Sequence, residues 1–406
     1  KLNIDPLRIP AVKWMYHCSV VTTFLSVTQV PYGAILIARE RMSAFAYMAI
    51  YDVAVKLGIA LALLWYQGDK LILLANLLLV NGMINILIYR IYCKRHFTEA
   101  RFRWVFDRKL IKPVFSFAGW HIATQAIVML LSQGVVMLNQ RYFGPTLVAA
   151  ISIGQVLNGQ LQAFIGNFKT AANPQIIKLY AARKFEESKK MLVDTVHFSV
   201  YLLLLLGVPV FYYAEEVLRI WLGSNMPEMS PVIAKITFVG AFFSLFDVSL
   251  YVILYAEGRI KENMWLNTIG GVIVFGLIFY QIKWLRNPLA SVATLAAYQV
   301  VLGMINKPIL LHIIAKYTFK DMLSIFIPPF KALVFCAVVG WGVKTLMPTS
   351  LWWTVPSCML MALLNMGVIF LFVVTAVQRQ LCCKLVARVP RVGPIMVYGI
   401  KKCLWI

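Results

Sequence analysis

The sequence predicts an all-α integral membrane protein with about eleven transmembrane helices. Three observations predict it. Hydrophobic residues make up 61% of the 406-residue chain, charged residues 14%, and the mean hydropathy is +0.77, far outside the composition of soluble domains. The apolar residues fall in continuous runs, each long enough to cross a hydrocarbon core of about 30 Å. Positive charge collects in alternate connections between those runs, as the positive-inside rule requires. A membrane barrel is excluded, because it would show short alternating segments.

Taken in order, the runs are 13–36, 43–66, 70–90, 113–140, 145–168, 191–214, 231–256, 263–283, 288–312, 328–347 and 351–377. The second contains Lys56 near its middle, with Asp52 one helical turn before it. Between the fourth and fifth, Phe143-Gly144-Pro145 reads as a tight outer turn, and Asn173-Pro174-Gln175 as the exit on the other side. In the ninth, Lys307 precedes Pro308 at an expected kink. The chain accordingly divides into 1–90, the remainder of an N-terminal lobe with three helices; 91–112, a basic cytoplasmic linker; 113–315, a C-terminal six-helix lobe; 316–378, two additional helices; and 379–406, a basic cytoplasmic tail.

The net charge of +23 is a matter of topology and gives no reason to expect a nucleic-acid partner. With 90–112 cytoplasmic, that side holds 26 Lys or Arg and the opposite side nine, with four inside spans. Trp14, Trp65, Trp221, Trp284, Trp352 and Trp353 fall at the expected outer boundary, as an aromatic belt should. The expected location is a bacterial inner membrane, multi-pass, with the C-terminus cytoplasmic. The seven cysteines show no metal spacing and no outer pair, and read as small apolar residues or free thiols, with Cys382 and Cys383 also open to acylation at the membrane edge.

Shifting the chain on itself by 218 positions superimposes the first three runs on the seventh, eighth and ninth without a gap. Phe24-Leu25-Ser26 meets Phe242-Phe243-Ser244, and Ala38-Arg39-Glu40-Arg41 meets Ala256-Glu257-Gly258-Arg259. Both copies run the same way through the membrane, which makes a parallel repeat about an axis along the membrane normal. The second copy is preceded by three spans with no counterpart before the first, so the sequence reads as an N-terminally incomplete copy of a fourteen-span protein.

One family accounts for several short motifs together. Val30-Pro31-Tyr32-Gly33-Ala34, Ala38-Arg39-Glu40-Arg41-Met42, Asn139-Gln140-Arg141-Tyr142-Phe143-Gly144-Pro145 and Asn173-Pro174-Gln175-Ile176-Ile177-Lys178-Leu179-Tyr180-Ala181 give the chain a pattern that resembles the bacterial polysaccharide and O-antigen flippases of the multidrug/oligosaccharidyl-lipid/polysaccharide exporter superfamily. The resemblance implies two six-helix lobes around a cavity, two further helices, and flipping of undecaprenyl-diphosphate-linked oligosaccharide from the cytoplasmic to the periplasmic leaflet by alternating access. The implied partners are the lipid-linked oligosaccharide, the bilayer and other polysaccharide assembly proteins. One departure is Ile151-Ser152 after Ala149-Ala150, where many relatives carry an Arg.

Flipping makes no bond, so the residues to expect are polar side chains for sugars and cations for a diphosphate; no enzyme and no cofactor is expected. Ser152, Gln155, Gly159, Gln162, Gly166 and Lys169 lie on one helical stripe, with Asn158 beside it. Amides both donate to and accept from hydroxyls, so Gln155, Asn158 and Gln162 are cavity candidates, joined by His121, Gln125 and Asn139 from the preceding helix. The competing reading of the stripe is helix packing through Gly159 and Gly166, and of His121 a hydrogen-bonded interior histidine. Lys56, Lys307 and Arg141 are the cation candidates, against an Asp52 partner for Lys56 and interfacial anchoring for Arg141. Asp247 is a candidate for ion coupling. A multidrug or small-molecule antiporter is the principal rival function. A membrane polymerase or acyltransferase is disfavoured, because the outer connections offer no catalytic constellation.

Overall fold

A computed structural model describes residues 8–39, 41–100, 119, 122, 124–348, 350–375 and 378–379. Every regular element among them is helical, as it must be where no water is present to satisfy backbone groups outside helices or closed barrels. Ten helices are long and apolar enough to cross a membrane. The eleventh expected run, 113–140, falls partly outside the described residues; its described part is helical from Thr124 to Phe143.

The chain divides into two units, 2–113 and 114–406. In the first unit, α1 (Ile9–Ala38) and α2 (Met42–Trp65) pack on α3 (Lys70–His96). Asp69 caps α3 by accepting from the Leu71 N–H. A small core joins Leu36 and Met48 to Tyr89, Cys93 and Phe97.

In the second unit the helical segment from Thr124 passes through a π turn at Leu130–Gly134 into α4 (Val135–Phe143). Gly144, at φ +84°, makes the turn expected there, a backbone conformation that favours glycine. It leads into α5 (Pro145–Ala181), followed by α6 (Phe185–Tyr212) and the short α7 (Ala214–Leu222). Next come α8 (Ser230–Ala256), α9 (Lys261–Tyr280) and α10 (Ala290–Val301), which a π turn at Leu302–Asn306 joins to α11 (Lys307–Ala315). Two more helices, α12 (Phe319–Leu346) and α13 (Leu351–Val368), pack against α6 and each other. The large core runs through α5, α6, α8 and α12, with Leu192, Val196, Phe246 and Ile325 fully buried.

Two boundaries differ from the sequence expectation. Helix α5 continues through Pro174 to Ala181, so Asn173-Pro174-Gln175 lies inside it. The end is held by packing: Ile176 is buried, and Ser188 of α6 donates to its carbonyl at 3.0 Å. Helix α12 starts at Phe319 because Thr318 and Asp321 form a reciprocal capping box, which satisfies two end N–H groups before the apolar run begins.

The 218-residue shift also relates the helices. It carries the ends of α1, α2 and α3, Ala38, Trp65 and His96, to positions 256, 283 and 314. Helix α8 ends at Ala256, α9 passes through its terminal π turn at Gln281–Leu285, and α11 ends at Ala315.

Candidate functional site

Within the second unit, α5, α8, α9, α10 and the Thr124–Ser132 stretch enclose a cavity of about 440 Å³. Its polar lining comes from Gln155 and Asn158 of α5, Ser244 and Asp247 of α8, Asn267 of α9, and Gln299 of α10. Two predicted amides, Gln155 and Asn158, therefore reach it. Asn158 Oδ1 is buried without a partner.

Asp247 anchors the charged end. The Lys307 ammonium, 1% exposed, stands 2.7 Å from an Asp247 oxygen, donates to Asn263, and lies over the Tyr251 ring at 5.6 Å. The π turn at Leu302–Asn306 immediately precedes Lys307, and such an inserted residue re-aims the following side chains. It also brings Asn306 Nδ2 to Asn267 Oδ1 at 3.0 Å, while the Tyr298 hydroxyl donates to the Asn267 carbonyl at 2.9 Å. Lys169 of α5, 6% exposed, lies within electrostatic reach of Asp247. Two buried lysines thus lie near one carboxylate, Lys307 in contact with it and Lys169 farther off, and of the three Asp247 alone lines the cavity.

Other sequence candidates lie elsewhere. Gln162 donates to Ser244 Oγ at 3.0 Å and to the Ala241 carbonyl, tying α5 to α8. Asn139 is fully buried, with its amide shared between the Val135 carbonyl and Ser291 Oγ, so it joins α4 to α10 away from the cavity lining. Gln125 is exposed and the lining at that turn comes from its neighbour Thr124. Arg141 is exposed, with its guanidinium over the Tyr142 ring at 6.0 Å. His121 lies outside the described residues. Among the described residues, a Cβ at Gly159 would meet nothing within 4 Å, so no close helix approach is seen at that glycine.

Lys56 belongs to the first unit, where its ammonium pairs with Asp52 at 2.7 Å. Asp52 also accepts from Asn81 and Asn85 at 2.9 and 2.8 Å, and all four residues line a recess of about 410 Å³. Sequence reading assigned no role to Lys169, Asn267, Asn306, Asn81 or Asn85. The spacing of Asn263 and Asn267, and of Asn81 and Asn85, at i and i+4 was the available signal. Among the described residues, no group of three His, Cys, Asp or Glu could hold a metal ion.

Residues 121–280 match the MatE family model. That stretch carries the helical segment before α5, the amide-bearing α5 itself, and α8 with Asp247. No curated protein and no solved structure matches the chain. The match supports a multi-pass transporter of the multidrug/oligosaccharidyl-lipid/polysaccharide exporter superfamily, a group that moves solutes and does not transform them.

Proposed function

On the premise of a MatE domain over residues 121–280, we propose that the protein flips an anionic, lipid-linked oligosaccharide by alternating access. The cargo is an undecaprenyl-diphosphate-linked repeat unit, carried from the cytoplasmic to the periplasmic leaflet of a bacterial inner membrane for surface polysaccharide assembly. The observation that supports this reading is the buried Lys169, with no carboxylate in contact, near the Asp247–Lys307 pair whose Asp247 lines the amide-bearing cavity. Buried cations are expensive unless paired, so such a lysine favours an anionic ligand. A diphosphate supplies that anion, while Gln155, Asn158 and Gln299 can donate to and accept from sugar hydroxyls.

A cation-extruding antiporter would instead use a carboxylate open to its substrate. Asp247 does line the cavity, and that favours this second reading. Its pairing with Lys307 opposes it. Deleting the gene and characterising the lipid fraction tests the proposal: lipid-linked oligosaccharide should accumulate and surface glycan should fall. Unchanged surface glycan, together with cation efflux abolished by Asp247→Asn, would establish the antiporter in its place.

A further inference from the structure

We propose that the recess among α1, α2 and α3 is a second binding site, selective for neutral hydroxyl-bearing groups such as the sugars of the cargo. This rests on the oligosaccharide reading above and extends it to residues outside the Lys169–Asp247–Lys307 cluster.

The recess has the right charge for such a ligand. Asp52 Oδ2 receives Lys56 Nζ, and Oδ1 receives the amides of both Asn81 and Asn85. Its charge is balanced by Lys56, so the pair presents no net charge to a phosphate or an ammonium. Three donors already occupy the carboxylate, which leaves it poorly placed to serve as an oxygen ligand of a cation.

The hydrogen-bonding balance then selects for donors. Asn81 is 4% exposed, its Nδ2 is engaged by Asp52, and its Oδ1 is buried without a partner at the recess wall. An unpaired buried acceptor is unfavourable, and a small turn of the Asn81 amide toward the recess would let a ligand donor remove that penalty. The hydroxyls of Thr22 and Ser26 donate to the Cys18 and Thr23 carbonyls, so their oxygens face the recess as acceptors. Neutral groups that donate are hydroxyls and amide N–H groups.

The repeat gives an independent reason to regard the recess as a site. Thr22, Ser26, Gln29, Ala49, Leu78 and Asn81 line it, and their counterparts 218 residues later, Gly240, Ser244, Asp247, Asn267, Ala296 and Gln299, all line the cavity of the second unit. Gln29 and Tyr89 occupy the positions of Asp247 and Lys307. In the second unit those two positions form an ion pair, whereas in the first both side chains are neutral. One register thus carries two chemistries, a neutral amide and phenol in one unit and a carboxylate and ammonium in the other.

Saturation-transfer NMR on the full chain in nanodiscs, with N-acetylglucosamine and rhamnose as probes, tests the site. Transfer to both sugars is expected for the wild type, falling about fivefold or more in Asn81→Leu and in Gln29→Leu, the second serving if the first does not fold; fivefold corresponds to about 1 kcal/mol. Absence of transfer in the wild type, or undiminished transfer in the folded variants, overturns the site. So does a sodium-induced rise in the unfolding midpoint that Asp52→Asn removes, which would make the recess a cation site. Transport of lipid-linked oligosaccharide into vesicles is measured separately. Intact transport without sugar contact removes the recess and leaves the flippase; sugar contact without transport does the reverse.

Discussion

At the scale of single residues, the decisive feature is how each cation is partnered. By sequence Lys56, near the middle of its run, is the more costly cation, and Lys307 lies toward the cytoplasmic end of its own. Lys56 keeps a side chain 57% exposed, whereas Lys307 keeps 1%, so only the second depends on its carboxylate for burial. Removing one partner of a buried pair typically costs about 3–5 kcal/mol, while replacing both by apolar groups is often close to neutral. Lys307→Met should therefore lower the thermal unfolding midpoint in detergent markedly, and Asp247→Leu/Lys307→Met should recover most of the loss while remaining inactive in transport. Lys169 has no ion-pair partner within contact distance among the described residues, so Lys169→Gln should leave the midpoint unchanged or raise it. Oligosaccharide transport by that variant should fall about tenfold or more, the equivalent of one lost charged contact of about 1.4 kcal/mol. Transport at the wild-type rate would remove Lys169 from the site.

At the scale of elements, close approaches between helices separate glycines that sequence treats alike. A Cβ at Gly303 would overlap the carbonyl oxygen of Phe243 in α8, and backbone cannot retreat as a flexible side chain can. Gly303→Val should thus destabilise by about 1–3 kcal/mol or more, read as a lowered midpoint and loss of the protein from the membrane fraction. Gly159→Ala meets open space, and relief of glycine's conformational freedom in a helix should make it neutral or stabilising by up to about 1 kcal/mol. Helix α7 is a further case. Its Glu216 pairs with Lys344 of α12, and Glu215 pairs within the helix with Arg219 at 2.7 Å. Adjacent helical positions put the two acids on different faces, and the fold brings Lys344 to one of them. At the other end of the unit, the Tyr180 hydroxyl donates to Glu257, joining the end of α5 to the end of α8. Desolvation first, and then that carboxylate, push the Tyr180 phenol above its ordinary range.

At the scale of the whole molecule, topology and repeat can be tested together. The turn between α5 and α6 at Arg183 and Lys184 is exposed, and the positive-inside rule predicts the cytoplasmic side for it. A cysteine at Lys184 should react with a membrane-impermeant maleimide only after the membrane is opened; labelling of intact cells would invert the orientation. The helical fold and the matching helix ends of the two sets of three helices are legible in the sequence, because hydropathy and span length are properties of consecutive residues and need no knowledge of neighbours. Gln155 and Asn158 were legible for the same reason, as members of a stripe on one helix. What sequence does not contain is which residue lies opposite. The pairing of Asp247 with Lys307, the proximity of Lys169, the diversion of Gln162 and Asn139 into helix contacts, and the capture of Lys56 by Asp52 all join different helices or choose between competing partners. Partner choice for a buried polar group is fixed by packing distances of a few ångströms, and the tertiary structure alone decides those.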